Sequence, residues 1–280
     1  MKLLGVLTAY HPRIEELIRN IDSYVSELDQ LIIWDNTPGG SSSLDDVIKS
    51  IDNPKIIIRR SGNNDFLAKP FNKIIKEAID NGYTHILTMD QDSYFETNGF
   101  LEFVNKVETN TDCSTMVFCP AKTENKLLDG DEMEVDNTIT SGTIYKAEVF
   151  EKIGYFREDF LIYMIDIEFG MRVKKYGYKI LCYPGILLNH FTGYSQKNRF
   201  GFRIDNYSAQ STYYIIRNVM LNWKLYPQEF GWKQKLKFFK YKIGYRTAKL
   251  PFESQPLLKL KAIYIAFCHG LIGKSGQYDI

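Results

Sequence analysis

Cysteine is scarce in this chain of 280 residues: Cys113, Cys119, Cys182 and Cys268 form no C-x-x-C pair and no zinc spacing. That argues against a zinc module or a disulfide scaffold, and reduced thiols in a cytosolic protein are the expectation. No apolar run approaches the ~20 residues that a membrane-crossing helix needs. The opening Met1-Lys2-Leu3-Leu4-Gly5-Val6-Leu7 lacks a signal-peptide core and runs straight into a strand pattern. Net charge is only +1, so the whole chain offers no field for nucleic acid. A glycine-rich phosphate loop is also missing after the first apolar run, where Thr8-Ala9-Tyr10-His11-Pro12 stands instead. That weighs against a nucleotidylyltransferase. Apolar residues, by contrast, are plentiful. At 44% hydrophobic and 14% aromatic, the chain can bury one large domain, or one domain with an appendage.

The organising stretch is Thr84-His85-Ile86-Leu87-Thr88-Met89-Asp90-Gln91-Asp92-Ser93. Its apolar run reads as a buried strand of a parallel sheet that ends abruptly in Asp-x-Asp. Positions i and i+2 share a strand face, so both carboxylates can address one cation. Hard oxygen ligands suit Mg²⁺ or Mn²⁺, ions often shared with substrate phosphates. The plainer alternative is an aspartate pair in a solvated turn.

Around this centre, strands alternate with helices. Leu3–Ala9, Leu31–Trp34 and Lys55–Ile58 read as strands. Ile14, Leu17, Ile18, Ile21 and Val25 form one helical stripe, and Phe71, Ile74, Ile75, Ala78 and Ile79 another. The pattern predicts a doubly wound α/β sheet flanked by helices. Thr8, Asp35, and Asp90 with Asp92 end three of the first four strands, where such sheets bind ligands. Thr115–Cys119 reads as a further strand, and the acidic run 129–136 as a solvated loop. Ile139–Ile144 reads as a strand interrupted by Ser141-Gly142, a bulge or a close backbone approach.

Asp166 and Glu168 open a helical stripe, as residues suited to the helix dipole or as a general base. Tyr178–Tyr183 and Ile186–Leu188 read as two strands around Pro184-Gly185, leading to His190 and then Phe191-Thr192-Gly193. His190 could join Asp92 as a metal ligand. From Asp205 the pattern is helical, so the expected division is 1–204 and 205–280. Trp232, Leu236, Phe239, Ile243 and Leu250 form a stripe among Lys233, Lys235, Lys237, Lys240, Lys242, Arg246 and Lys249, with no acid between them. Such a segment fits an anionic membrane surface, or else a packed helix with a solvated lysine face.

The ordered set of motifs resembles a family 2 glycosyltransferase of the GT-A fold, in its rhamnosyltransferase-like branch. Leu7-Thr8-Ala9-Tyr10 is similar to that family's T-Y-N/H-P opening, and Trp34-Asp35-Asn36 to its V-D-N. Asn64-Asp65-Phe66-Leu67-Ala68-Lys69-Pro70-Phe71-Asn72 resembles N-x-G-x-A-x-A-x-N, with Phe66 where glycine is usual and Pro70 where the second alanine is usual. Met89-Asp90-Gln91-Asp92-Ser93 resembles the D-Q-D-S of the branch. Ser141-Gly142, Asp166-x-Glu168-Phe169-x-x-Arg172, His190, Tyr213-Tyr214-x-x-Arg217-Asn218 and the glycine-rich stretch 270–276 complete the order. A further departure is Tyr163, where the branch often carries an aspartate.

The resemblance implies a GT-A-type, mixed but mainly parallel sheet with a C-terminal helical extension. It implies inverting transfer of a sugar from a nucleoside-diphosphate donor, dTDP-rhamnose favoured and UDP-sugars possible. The implied acceptor is a hydroxyl of a lipid-linked or growing cell-surface saccharide, at the inner face of the plasma membrane. Asp92 and His190 would hold the metal, with Asp90 beside it or on the ribose. Asp35, Thr8 and Tyr10 would line the base pocket, and Asn64 and Asn72 would position the nucleotide or brace the loop. Asp166 would be the base, Glu168 the second candidate, and Arg172 the residue that orients the pair. Two rivals are a non-catalytic sugar or nucleotide binder of the same fold, which needs no base, and a haloacid-dehalogenase-type phosphatase. In the phosphatase, the Asp-x-Asp usually ends the first core strand, whereas here it ends the fourth.

Overall fold

The computed structural model describes residues 1–41, 44–46, 51, 53–96, 98–123, 130–190, 196–197, 203–204 and 207–280. The expectations for Asp129, Phe191, Thr192, Gly193 and Asp205 lie outside them.

The strand β1 (Leu3–Ala9) is buried along its whole length, as its unbroken apolar run requires. It pairs in parallel with β2 (Gln30–Asp35) on one side and β4 (His85–Asp90) on the other, and β2 pairs in parallel with β3 (Ile56–Arg60). The sheet continues through β5 (Ser93–Phe95), β6 (Thr115–Lys122), β7 (Met133–Val135), β8 (Thr143–Lys146) and β9 (Lys179–His190). Its order is β3-β2-β1-β4-β8-β6-β9-β5, with β7 also on β9. The expected parallel half is present, and β8 inserts antiparallel between β4 and β6. The helix Ile14–Asp22 buries Leu17 and Ile21, and the helix Ala68–Asp80 buries Phe71, Ile74, Ile75 and Ala78. Pro70 occupies the first turn of its helix, where a missing N–H costs nothing.

Four local expectations are corrected. Val25 leaves the first helix and is buried in a 3₁₀ turn, Val25–Glu27. Part of the acidic run is a strand, because β7 pairs antiparallel with β9. The strand expected at 139–144 begins only at Thr143, because Gly142 turns the chain at φ +76°. The two strands around Pro184-Gly185 are one, β9, whose register against β6 shifts between Pro120 and Ala121 to absorb the extra residues.

The chain groups into two compact units, one of residues 1–156 with 169–191 and one of 157–168 with 192–280. The second contains the helix Ala209–Leu225, whose N-cap Ser208 accepts from Ser211 N. It also contains Trp232–Phe238, a π-helical stretch Phe239–Tyr245, and the helix Pro256–Ile272. Gly270 of the last helix lies against Met220, where a Cβ would meet the methionine side chain at 2.7 Å. This helix buries Lys259 on Glu253 (Nζ–Oε2 2.9 Å) yet exposes Leu257, Leu260, Tyr264 and Leu271. Arg246 and Lys249, expected on the solvated basic face, are buried instead. Lys249 lies 3.5 Å from Glu253, which draws it inward.

Candidate active site

Parallel register places the polar strand ends side by side. Thr8 of β1 lies opposite Asp90 of β4, and Ala9 lies opposite Asp35 of β2. Gln91, between the two aspartates, joins this edge together. It accepts from Tyr10 N (2.7 Å) and donates to Tyr10 O (3.2 Å), while its own carbonyl accepts from Asn20 Nδ2 (2.8 Å). Tyr10 itself remains exposed.

After Asp92 the chain immediately starts β5, which pairs antiparallel with the end of β9 and sets Ser93 opposite His190. This short strand brings a histidine 98 residues away to the Asp-x-Asp. Ligand atoms of Asp90, Asp92 and His190 all lie within 4.8 Å of one another. His190 Nδ1 stands 3.5 Å from Asp92 Oδ1 and shares a 2.7 Å hydrogen bond with Ser93 Oγ. Ser141 Oγ donates to Ser93 Oγ (2.8 Å) and accepts from Asp90 N (3.1 Å), so one hydroxyl relay touches both arms of the cluster. A hydroxyl partner on a ring nitrogen is a common way to orient a metal-binding histidine.

Asp92 is 42% exposed as a side chain, but its Oδ1 is shielded from solvent and has no hydrogen-bond partner. Burial pushes its carboxyl up, against the pull of a charged His190. A sheltered carboxylate oxygen that accepts no hydrogen bond, beside a second carboxylate and an imidazole, fits a hard divalent cation.

Asp35 is fully buried. Oδ1 accepts from Thr37 N (2.9 Å), and Oδ2 from Ser41 N (2.8 Å) and Arg60 Nε (3.1 Å). Burial alone would raise its carboxyl, but these donors hold it below the usual range. Asp35 thus shapes the loop at 37–41. Asn64 Oδ1 accepts from Phe66 N (3.0 Å), and Asn36 Nδ2 donates to Phe66 O (2.5 Å). Phe66 is left-handed, with φ +59°, which explains why glycine suits this position. Asn72 is buried and bonds the backbone of Phe156 in both directions (2.8 and 3.0 Å).

Asp166 lies in the first turn of the helix Ile165–Lys175, where its Oδ1 accepts from Ile167 N (2.8 Å). Glu168 is buried and accepts from Tyr226 Oη (2.6 Å). Arg172 donates to the carbonyls of Ile153 and Tyr155 (2.9 and 2.8 Å). Sequence reasoning passed over Gln91, Ser93 and Ser141 as site residues, although all three stood inside quoted motifs. It missed Tyr226, for which no local pattern exists.

No family model matches the chain. Over 245 residues it is 25% identical to the dTDP-rhamnosyl transferase RfbF of Shigella flexneri, covering 78% of this chain and 79% of that one. In fold it is similar to the mannosyltransferase PcManGT of Pyrobaculum calidifontis, solved with GDP-Man and Mn²⁺. The TM-score is 0.59 at 12% identity, over 99% of this chain and 76% of that one. GalNAc-T7, solved with UDP, GalNAc and Mn²⁺, gives a TM-score of 0.61 at 12% identity over 81% of this chain, which spans about half (49%) of that one. Fold, Asp-x-Asp cluster and relative agree in their support: the chain has the GT-A fold and is similar to the rhamnosyltransferase-like family 2 glycosyltransferases.

Proposed function

We propose that this enzyme transfers a sugar, rhamnose favoured, from a nucleoside diphosphate to a hydroxyl with inversion at C1, and that it depends on Mg²⁺ or Mn²⁺. The observation that carries the reading is the meeting of Asp90, Asp92 and His190, with a sheltered Asp92 oxygen that accepts no hydrogen bond. Asp92 and His190 would hold the ion, with Asp90 completing the set or holding the ribose. When bound, the ion offsets the charge that grows on the departing diphosphate. Thr8, Tyr10, Asn64 and the loop shaped by Asp35 would receive the nucleoside. The activity of the Shigella relative favours dTDP-rhamnose. UDP-sugars are the alternative, since Tyr163 stands where the branch often has aspartate.

Asp166 takes the acceptor proton as the hydroxyl oxygen attacks C1, a contribution of about 10²–10⁴-fold. Glu168 is the poorer candidate because it is buried and already bonded to Tyr226. Asp166→Asn is expected to abolish transfer while nucleotide binding persists; turnover near wild type refutes the assignment.

The acceptor is a lipid-linked or growing saccharide at the inner membrane face. Two features support this. Lys233, Lys237, Lys240 and Lys242 are exposed without an acid among them. The exposed Leu257, Leu260, Tyr264 and Leu271 share one face of their helix, and Trp232 and Leu236 of a second helix are 71% and 59% exposed. A cationic and apolar surface suits anionic lipid. No helix among the described residues is long and apolar enough to cross a membrane, so the surface would lie on the bilayer. Replacing Leu257, Leu260 and Tyr264 by serine should release the protein from phosphatidylglycerol vesicles in a flotation assay; unchanged flotation refutes the surface.

The deciding experiment is thermal stabilisation by UDP, dTDP, GDP and CDP, each with Mn²⁺, Mg²⁺ or EDTA. A ligand at 100 times its Kd stabilises by about 2.7 kcal/mol. Metal-dependent stabilisation by dTDP supports rhamnosyl transfer, a UDP preference discards rhamnose, and no response to any nucleotide withdraws the reading.

A further inference from the structure

The backbone that leads into Asp166 is twisted against its preference. Leu161, Tyr163 and Met164 all have positive φ, at +67°, +61° and +63°. None is glycine, asparagine or aspartate, the residues that tolerate this region. At Leu161, ψ is −63°, and Ile162 N donates to Phe160 O at 2.8 Å. Together these define a γ-turn of the rarer, strained hand. The Met164 carbonyl then accepts from Glu168 N (2.9 Å), so the twisted segment sets the direction in which the helix bearing Asp166 begins.

Two side chains of the helix Ala209–Leu225 hold this segment. Asn218, wholly buried, turns its Nδ2 to the carbonyls of Phe160 (3.0 Å), Ile162 (2.8 Å) and Tyr163 (2.9 Å). Arg217, also wholly buried, donates through Nε and Nη2 to Asn218 Oδ1 (2.9 and 2.8 Å), which fixes the amide's orientation. Its Nη2 also reaches Asp159 O (3.2 Å), and its Nη1 reaches Gly276 O. Gly276 N closes the ring on Asp159 O (2.8 Å). A buried guanidinium and a buried amide are thus spent largely on the carbonyls of one strained segment. Strain persists only where the surroundings over-determine it, and it gathers where geometry matters for function.

We infer that Arg217 and Asn218 are positioning residues that hold 159–164 in its left-handed course and so preset the carboxylate of Asp166. The inference rests on the reading of Asp166 as the base.

The test compares full-length wild type with Asn218→Asp, which keeps the shape but removes the amide donor. The first readout is amide hydrogen exchange. Exchange should rise in 160–168 and stay unchanged in β1 and β4; equal exchange in 160–168 overturns the inference. The second is Mn²⁺-dependent release of dTDP from dTDP-rhamnose, with water as acceptor. Turnover should fall on the order of 10- to 100-fold, as for a misplaced reacting group, with dTDP affinity within about twofold of wild type. Turnover within twofold of wild type, or a matching loss of dTDP affinity, overturns it. The third is suppression. Leu161→Gly removes the steric objection to the γ-turn and should recover part of the turnover lost in Asn218→Asp, which a general packing role does not predict. No recovery overturns the inference. Asp166→Asn is measured alongside. Should it turn over like wild type, the base reading fails, while exchange in 160–168 still decides whether Arg217 and Asn218 hold the segment.

Discussion

Phe66 and Gly142 both sit at positive φ, +59° and +76°. The same backbone physics gives them opposite expectations. An L-residue with a side chain loses roughly 1–2 kcal/mol in this region. Phe66→Gly should therefore raise the stability by about 1 kcal/mol, read as a higher urea midpoint with unchanged slope. At Gly142 a Cβ would also meet Leu188 Cδ2 at 2.8 Å and Pro120 Cγ at 3.2 Å. Gly142→Ala should cost about 2–3 kcal/mol in the same measurement. His85 supplies a pH dependence. Burial, then Lys146 and the N-terminal amine, push its imidazole down to about 4. The unfolded chain therefore binds the extra proton first, and stability is lost as pH falls from about 6.5 toward 4. His85→Gln should flatten that part of the Tm–pH curve; an unchanged slope refutes the assignment.

At the scale of elements, the decisive one is β5, three residues long. Its pairing with β9, rather than any property of His190 itself, makes the histidine a partner of Asp92. Ser93→Ala keeps the strand but removes the hydroxyl that Ser141 and His190 share. Loss of such an orienting partner typically costs 10- to 100-fold in metal affinity, so a drop of about that size in Mn²⁺ affinity by calorimetry is expected, with the fold intact.

The long apolar strands and amphipathic helices were legible because burial imposes a period on sequence. β5 was not, since three residues carry no period. β7 was not either, because Met133-Glu134-Val135 looks like a charged loop, and a charge on a short outer strand is also how sheets guard their edges. The meeting of Asp90, Asp92 and His190 was readable from residue type and order. The hydroxyl relay and the bonds made by Asn72 and Arg172 depend on partners far away in the chain, and no local pattern reports them.

For the whole molecule, the contacts group in a way that is not linear in sequence. The acidic segment 157–168 groups with 192–280, and the sheet takes back 169–191. A fragment 1–204 would leave 157–168 without Arg217, Asn218 and Tyr226. Such a fragment should be cut by trypsin at Arg157 at least tenfold faster than the full chain, an expectation that follows from local stability tracking local contacts. Equal resistance refutes the grouping.

The ring of hydrogen bonds among Arg217, Asp159 and Gly276 also sets an order in time. A ribosome makes Asp166 before it makes any of the side chains that hold the approach to it. At roughly 5–20 residues per second, the 110 residues from Asp166 to Gly276 take on the order of 5–22 seconds to appear. The sheet and its Asp-x-Asp can close during that interval, so a nascent chain would be ready for a nucleotide before its proposed base is set. On the proposed reading of Asp166, nucleotide binding precedes catalytic competence in the life of the nascent chain.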